Sequence, residues 1–419
     1  MKRVLVIGGG VIGLTTAWEL LVAGFEVLLV EAADSVATGA SQANGGQLSY
    51  RYVSPIADAG VALKALRWMF ERDSPQQLRL EPSIRQWSWL VRFLANCSRS
   101  ANRRTTLRLL RLGELSRAAF GQLAKQVRPE SIALRTPGKL VIFRQARELA
   151  RAVRAMPTNE PPNAMGEFSI LDADGCVARE PALDGAQCLI AGGIFTGGEA
   201  VADCRLFCLR LLEQLSQSRD FRVLLRTRVA GFVRDQGRAV AVRAGDDEIP
   251  ADEFVVAAGL HSSSLARNIG VRLPIYPVKG YSLTAPIGRA HRAPEVSVTD
   301  FERKVLYARI GEDLRIAALA DLVGADPRVD PRRVASLLRV VRATLPEAAD
   351  YGRAVSWAGL RPATPHGAPI LGPSGVPGIW LNVGHGALGF TLATGSARVL
   401  AAMLAGREAP VPLDGLTLV

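Results

Sequence analysis

Three glycines and one acid near the start of the chain have the spacing of a phosphate site. Gly8, Gly10 and Gly13 give G-x-G-x-x-G directly after the apolar run Val4–Ile7. In this pattern the first glycine permits a tight turn, the second lets a pyrophosphate approach bare backbone, and the third allows close helix–strand packing. Leu14, Ala17, Trp18 and Leu21 follow at i, i+3, i+4, i+7, which predicts a helix with one buried stripe. Its N-terminus would aim free N–H groups and a partial positive charge at phosphate. Phe25–Val30 reads as the second strand, and Glu31 falls where a carboxylate can accept both hydroxyls of an adenosine ribose. Ala32 and Ala33 follow it rather than an arginine, so a 2′-phosphate has no partner. The unit by itself leaves NAD and FAD equally open.

At 419 residues the chain can bury a large core and should divide into two domains. A balance of 51 basic against 39 acidic residues leaves +12, concentrated as arginine between Arg79 and Arg154. That charge favours anionic partners, whether nucleic acid, acidic lipid or an anionic substrate. The arginines alternate with helical leucines and match no nucleic-acid motif, so a nucleic-acid role is the weakest of these. Five cysteines form no disulfide framework and point to a reducing, cytoplasmic compartment. Cys204 and Cys208 lie one helical turn apart, without the histidines or acids that would complete a metal site. No apolar run reads as the ~20-residue span of a membrane helix, so membrane contact would be peripheral.

The small, polar stretch Ala32–Ser49 is long for a turn and should line a ligand. Ala62–Phe70 and Ile84–Leu94 carry tryptophans among arginines, the composition of surface helices or of helices lying in a membrane interface. Thr105–Val127 continues as helix, with leucines at 107, 110, 112 and 115. Strands are expected at Lys139–Arg144, Gly192–Thr196, Phe221–Val233, Ala239–Ala244, Ile249–Gly259, Pro274–Thr284 and Val305–Ala318. Met156–Gly166 is rich in Pro, Asn and Gly and reads as loop. Helices are expected at Asp203–Ser216 and Pro331–Leu345, and a last one ending at Gly406. Ala358–Gly372 and Leu381–Leu392 read as glycine-rich loops.

With those two segments the chain resembles the D-amino acid oxidase-like family of FAD-dependent oxidoreductases, and within it the FAD-carrying subunits of bacterial D-amino acid dehydrogenases. The likeness runs through GGGVIG, SQANGGQLS, LKALRWMF, YPVKGYSLT, GLRPATPHGAPILG and NVGHGALGFTLATGS, nearly the full length. It implies an α/β and α+β fold. A discontinuous Rossmann-type FAD-binding domain would take residues 1–60, 193–270 and 352–419. A substrate domain with a largely antiparallel sheet would take 61–192 and 271–351. FAD would be held noncovalently. Carried over by position, Gly8, Gly10, Val11, Ile12 and Gly13 would take the pyrophosphate and Glu31 the ribose. Ser41, Asn44, Gly45, Gly46, Gln47 and Leu48 would run past the pyrophosphate and flavin. Val229 would contact adenine through its backbone, and Ala258 and Gly259 would pack near the dinucleotide. Gly386, Leu388, Gly389, Phe390 and Thr391 would put N–H groups at the flavin pyrimidine edge. As the opening of the terminal helix, those groups lack intrahelical partners and favour negative charge on a reduced flavin.

The implied reaction is oxidative deamination of a D-amino acid to a 2-oxo acid and ammonia by hydride transfer to flavin N5, with electrons passing to a quinone or another non-oxygen acceptor. Alternatives are a cyclic or N-alkyl amino acid as substrate, such as D-hydroxyproline or sarcosine, and an electron-relay subunit without its own substrate. Such a reaction needs an oriented Cα–H and a neutral amine, and the sequence shows no Ser-His-Asp or Cys-His arrangement. An amino acid does need a cation for its carboxylate, ideally the planar fork of arginine. Arg361 is the first candidate, with a structural ion pair as its other reading; Arg51 and Lys279 are alternatives. Tyr281 or Tyr276 could cap the ligand. His385, between two glycines, could place a hydrogen bond or charge at the flavin edge, whereas His366 reads as turn. At Ser49–Val53, SYRYV replaces the Ser-Pro-Gly-Tyr expected in the dehydrogenases, so Tyr50, Arg51 and Tyr52 would reshape the pocket. The tryptophan–arginine segments and net charge fit a peripheral contact with an anionic membrane, at the inner face of the cell membrane.

Overall fold

The structure, a computed structural model, describes residues 1–55, 57, 76–156 and 168–418. The expected helix at Ala62–Phe70 and most of the expected loop at Met156–Gly166 lie outside the described residues.

Two sheets carry the architecture. The first has six strands in the order Ile370–Pro373, Ile379–Val383, Glu253–Val256, Arg3–Ile7, Glu26–Val30, Phe221–Leu224. All neighbours are parallel except the outermost pair, Ile370–Pro373 and Ile379–Val383. Its central strand, Val4–Ile7, is buried on both faces, as a parallel strand covered on both sides must be. The second sheet has eight strands, ordered Val355–Ala363, Tyr276–Pro286, Asp313–Asp321, Val305–Ile310, Ser297–Asp300, Lys139–Phe143, Gly192–Thr196, Phe168–Leu171. It is antiparallel apart from the Ser297–Asp300 and Lys139–Phe143 pair. A three-stranded antiparallel sheet (Gly231–Asp235, Arg238–Ala244, Asp247–Pro250) flanks the first. The mixed fold is the one expected.

Several boundaries differ from the sequence reading. Phe221–Val233 is two strands in different sheets, because residues 225–230 leave the parallel sheet before the chain turns into the flanking hairpin. Ile249–Gly259 divides in the same way at 251–252, and Val305–Ala318 at Gly311 (φ +59). The stretch Ala358–Gly372 is not one loop. Val355–Ala363 is an edge strand of the large sheet and Ile370–Pro373 an edge strand of the parallel one.

Three helices close the core beside the parallel sheet: Val11–Val22, Arg99–Val127 and Gly389–Leu404. They pack through small and hydroxylated residues. Thr15 Oγ1 donates to the Ala393 carbonyl at 3.2 Å, and Ser116 Oγ donates to the Thr391 carbonyl at 2.6 Å. Gly395 is required there, since a Cβ would sit 2.7 Å from the Leu112 carbonyl oxygen. Burial therefore wraps further round the first helix than one stripe, taking in Thr15, Thr16, Glu19 and Leu20, while Trp18 and Leu21 are half-buried. Glu19 is paired with Arg398 at 3.0 Å. On the long helix the inward leucines are Leu109, Leu112 and Leu123, and Leu107 is exposed. Contrary to the sequence reading, Gly386–Leu404 is long and apolar enough to span a bilayer, with mean hydropathy 1.4, but two thirds of it is buried in this core.

Candidate active site

Four parallel strands end at one place. Ile7 is followed by Gly8, Val30 by Glu31, Val256 by Ala257 and Ala258, and Val383 by Gly384 and His385. All of these following residues line a single cavity of about 2590 Å³ between the carboxyl ends of the parallel sheet and the face of the large sheet. That volume exceeds the roughly 300–1,000 Å³ of ordinary small-ligand pockets and accommodates a dinucleotide together with a small substrate.

The glycine turn is built for close approach. Gly8 has φ +113, and a Cβ on it would lie 2.6 Å from the Ala257 carbonyl oxygen. A Cβ on Gly13 would lie 1.8 Å from the Gly8 carbonyl oxygen, so Gly13 serves turn packing and does not face the cavity. Gly10 is different: its Cβ position is open, with only Ser41 Oγ at 3.5 Å. Gly10 and Ile12 line the cavity and Val11 does too, but the Val11 N–H is donated to Ser41 Oγ at 3.1 Å. Ser41 thus caps the helix. Glu31 accepts from the Gly9 N–H at 2.6 Å and the Ala33 N–H at 2.9 Å, holding the turn while it faces the cavity. Val229 sits beside it in an irregular segment rather than a strand, tethered by Thr227 N–H to the Glu31 carbonyl at 2.9 Å. Ala258 and Gly259 line the same end.

The segment Ala32–Ser49 forms a cradle pinned to the large sheet. Ser282 Oγ donates to the Ala43 carbonyl at 2.6 Å, and Arg315 Nη1 to the Asn44 carbonyl at 2.7 Å. Asn44 Oδ1 accepts from the Gly46 N–H at 3.0 Å. Gly45 abuts Ala317 and Leu306, and Gly46 (φ +64) leaves no room for a Cβ beside Ile310. Gln47 faces the cavity, but Leu48, expected beside it, is wholly buried in the core, because adjacent strand residues point to opposite sides. Thr391 Oγ1 donates to the Gln47 carbonyl at 3.2 Å and joins the cradle to the terminal helix. Gly386, Leu388, Gly389, Phe390 and Thr391 all line this part of the cavity. The Phe390 ring itself is core, against Phe120 and Phe207, so what it offers is backbone.

Of the candidate cations, Arg361 lines the cavity and Lys279 does not. Lys279 donates to the Arg328 carbonyl and lies over the Tyr281 ring at 5.3 Å. Arg361 lies on the edge strand rather than in a loop. Its Nη1 donates to the Leu319 carbonyl at 2.9 Å, and no carboxylate lies within ion-pair distance of it among the described residues. Burial pushes its pKa below the usual guanidinium value, opposed by Asp321. Asp321 is itself committed to Arg333 at 2.7 Å. The structural ion pair is therefore not what holds Arg361; its remaining donors are available to a ligand. Gly280 makes the space: a Cβ there would lie 2.1 Å from the Arg361 guanidinium. Gly280→Ala is expected to displace that guanidinium and weaken carboxylate-ligand binding at least tenfold while leaving FAD content unchanged, measured by flavin-absorbance titration.

The Tyr281 ring shares its strand face with Lys279 and packs in the core against the helix Pro331–Arg342, where burial with Asp321 and Asp330 pushes its phenol up to about 12, so what Tyr281 offers the cavity is backbone. Tyr276 does not reach the cavity; it accepts from Gln86 at 2.9 Å and donates to Glu81 at 3.2 Å. Arg51 and Tyr52 line the opposite end, Arg51 over the Phe168 ring at 5.7 Å and Tyr52 40% exposed. Tyr50 turns inward into the core. His385 lines the cavity but bonds Ser396 Oγ through Nε2 at 3.0 Å, and burial lowers its pKa to about 3. It supplies a neutral ring at this edge and no charge. His366 accepts from the Ala368 N–H at 3.1 Å inside its turn, with its pKa lowered to about 4 by burial and then by Arg108.

These two histidines make acid stability predictable. Their folded pKa values lie below the unfolded value, so the unfolded chain binds more protons and stability falls as pH drops below about 6.5. At pH 5 each is expected to cost about 2 kcal/mol. The difference in urea midpoint between pH 7 and pH 5 should shrink in His385→Asn and shrink again in the double variant with His366→Asn.

Sequence reasoning missed Glu199 and Lys139. Glu199 is buried and accepts from the Tyr50 and Arg51 N–H groups at 2.8 and 3.0 Å, and burial raises its pKa. Lys139 is 2% exposed and donates to Gln47 Oε1 and, at 3.2 Å, to Ser49 Oγ. Burial lowers its pKa to about 7, with Glu199 opposing. The only signal in the sequence was a lysine opening an otherwise apolar strand.

Residues 3–403 match the family model described as FAD dependent oxidoreductase. The chain is 48% identical to D-amino acid dehydrogenase 2 of Pseudomonas aeruginosa over 415 residues, covering 99% of this chain and 98% of that one. It is 43% identical to D-amino acid dehydrogenase 2 of Ralstonia nicotianae, covering 97% of each. Among solved structures, glycine oxidase from Geobacillus kaustophilus superposes with a TM-score of 0.76 at 21% identity, covering 100% of this chain and 99% of that one. The cavity at the strand ends, with its glycine turn and acid, and the full-length matches agree: the chain belongs to the DAO family of FAD-dependent oxidoreductases.

Proposed function

We propose that this protein oxidises D-amino acids to 2-oxo acids and ammonia, holds FAD noncovalently, and passes electrons to a quinone or another acceptor in place of oxygen. The observation that carries the reading is Arg361, a half-buried cation without an acid partner among the described residues, in the wall of a cavity that also contains the dinucleotide turn. Gly10, Ile12, Glu31, the cradle and Gly386–Thr391 would hold the cofactor, and the open Cβ position of Gly10 fits a pyrophosphate against bare backbone. Bound FAD supplies the two-electron acceptor. The chain's own part is to orient the substrate: Arg361 takes the carboxylate, and the apolar wall of Ala317, Ala318 and Leu319 excludes water. A substrate cation site favours an enzyme over a bare electron-relay subunit.

The test is anaerobic mixing of the holoenzyme with D- and L-alanine, D-proline and sarcosine. Bleaching by D-alanine and not by L-alanine is expected. No bleaching by any of them would remove the assignment. Oxygen uptake against quinone reduction then reads out the acceptor.

A peripheral membrane contact at the cytoplasmic face belongs to the same proposal. Helix Ile84–Asn96 buries Gln86, Trp89 and Phe93 but exposes Ile84, Trp87, Val91 and Leu94 along one stripe, beside Arg85 and Arg92. An apolar stripe flanked by arginine fits anionic lipid. Trp87→Glu with Val91→Glu is expected to abolish co-sedimentation with phosphatidylglycerol vesicles, measured against phosphatidylcholine vesicles, without changing FAD content.

A further inference from the structure

Lys139 stands out among the groups that the proposed reaction leaves unused. It is buried, lines the cavity, and among the described residues donates to the neutral acceptors Gln47 and Ser49, with the Tyr52 ring 4.5 Å from its Nζ. No carboxylate lies within ion-pair distance of it among the described residues. Glu199 is the acid that bears on it electrostatically, and that carboxylate is engaged by two backbone N–H groups. An ammonium group held out of water without a counter-ion is costly, and such groups concentrate at ligand sites.

The surroundings are those of an oxygen-binding pocket. Lys139 is the register partner of Ser297 in the neighbouring parallel strand, and Thr299, two residues on, shares the face of Ser297. Ser297 accepts from Gln47 Nε2, while the Thr299 hydroxyl, in a residue 8% exposed that lines the cavity, has no partner among the described residues. The adjoining cavity wall adds Arg51, Arg147, Arg151, Arg154 and Lys304 against Glu148 and Glu302. Cations outnumber acids there, which draws in anions.

We propose that Lys139, with Thr299, forms a second recognition point that takes a carboxylate at the distal end of the substrate's side chain. The inference rests on the amino acid reading above, in which Arg361 takes the α-carboxylate. Arg361 stands on the edge strand and four strands separate it from Lys139 in the sheet order, so a length series tests the bridge.

The holoenzyme is titrated with dicarboxylates of four to seven carbons and with the monocarboxylates of equal length, following flavin absorbance. Expected is at least one length at which the dicarboxylate binds tenfold more tightly than its monocarboxylate, an advantage lost in Lys139→Met and retained in part in Lys139→Arg. Thr299→Val, which leaves the lysine in place, is expected to reduce the same advantage about threefold and serves if Lys139→Met loses its cofactor. No advantage at any length, or one that survives Lys139→Met, overturns the proposal. Failure of D-alanine to bleach the flavin would instead overturn the amino acid reading, and the titration needs no turnover.

Discussion

Arg361→Met is expected to lower kcat/KM for D-alanine by about 10²–10³-fold, the cost of removing one partner from a hydrogen-bonded charge pair that the bound ligand desolvates. The loss should appear in both kcat and KM. Carboxylate binding holds the substrate, and the same contact aims its Cα–H. Arg361→Lys keeps the charge but loses the planar fork, and should recover only part of the loss. The guanidinium is fixed by the Leu319 carbonyl, which stands at a strained position, φ +67, in an irregular part of the strand pairing with Lys279–Tyr281. Flavin content should be unchanged in both variants, which separates substrate binding from cofactor binding. Retention of wild-type kcat/KM in Arg361→Met would end its assignment as the carboxylate residue.

Gly13→Ala and Gly10→Ala should fail in different ways. A Cβ on Gly13 meets the Gly8 backbone carbonyl at 1.8 Å, and neither the turn nor the helix can yield without parting the helix from the central strand of the parallel sheet. Destabilisation of roughly 3 kcal/mol or more is expected, with loss of FAD as a consequence. A Cβ on Gly10 meets nothing closer than 3.5 Å, so the apoprotein should melt at the wild-type temperature. That Cβ nevertheless points into the open space of the cavity, and FAD affinity should drop about a hundredfold, read by reconstitution titration. Equal Tm losses in the two variants would show that Gly10 serves packing rather than ligand approach.

Much of the cofactor end was legible because its determinants are local. The glycine turn, the helix after it and Glu31 lie within one supersecondary unit, and their spacing encodes their geometry. The terminal helix and its Gly406 stop were legible for the same reason. Errors gathered where pairing partners are distant. Ala358–Gly372 looks like loop because glycines punctuate it, but its first part gains an extended partner in Tyr276–Pro286, some eighty residues earlier in the chain. Gly280 and Gly359 are glycines for side chains to pass, Arg361 over one and Trp357 over the other; the sequence pattern places Gly280 in a strand but makes Gly359 look like loop.

The charges show the same division. From the residue types, His385 could have carried charge at the cofactor edge; tertiary burial and the Ser396 contact make it neutral. Lys279 and Arg361 were alternative cations in sequence, and the alternation of strand faces together with the Arg328 carbonyl decided between them. Lys139 carried almost no sequence signal, because a lysine at a strand start is ordinarily solvated. Only the stacking of its sheet over the Gln47–Ser49 cradle removes it from water and turns it toward a ligand. The sequence by itself determined where a dinucleotide binds and which family of folds surrounds it, since short-range spacing sets backbone geometry. The tertiary structure decided which cations face the ligand and in what state, since burial and charge depend on residues far apart in the chain.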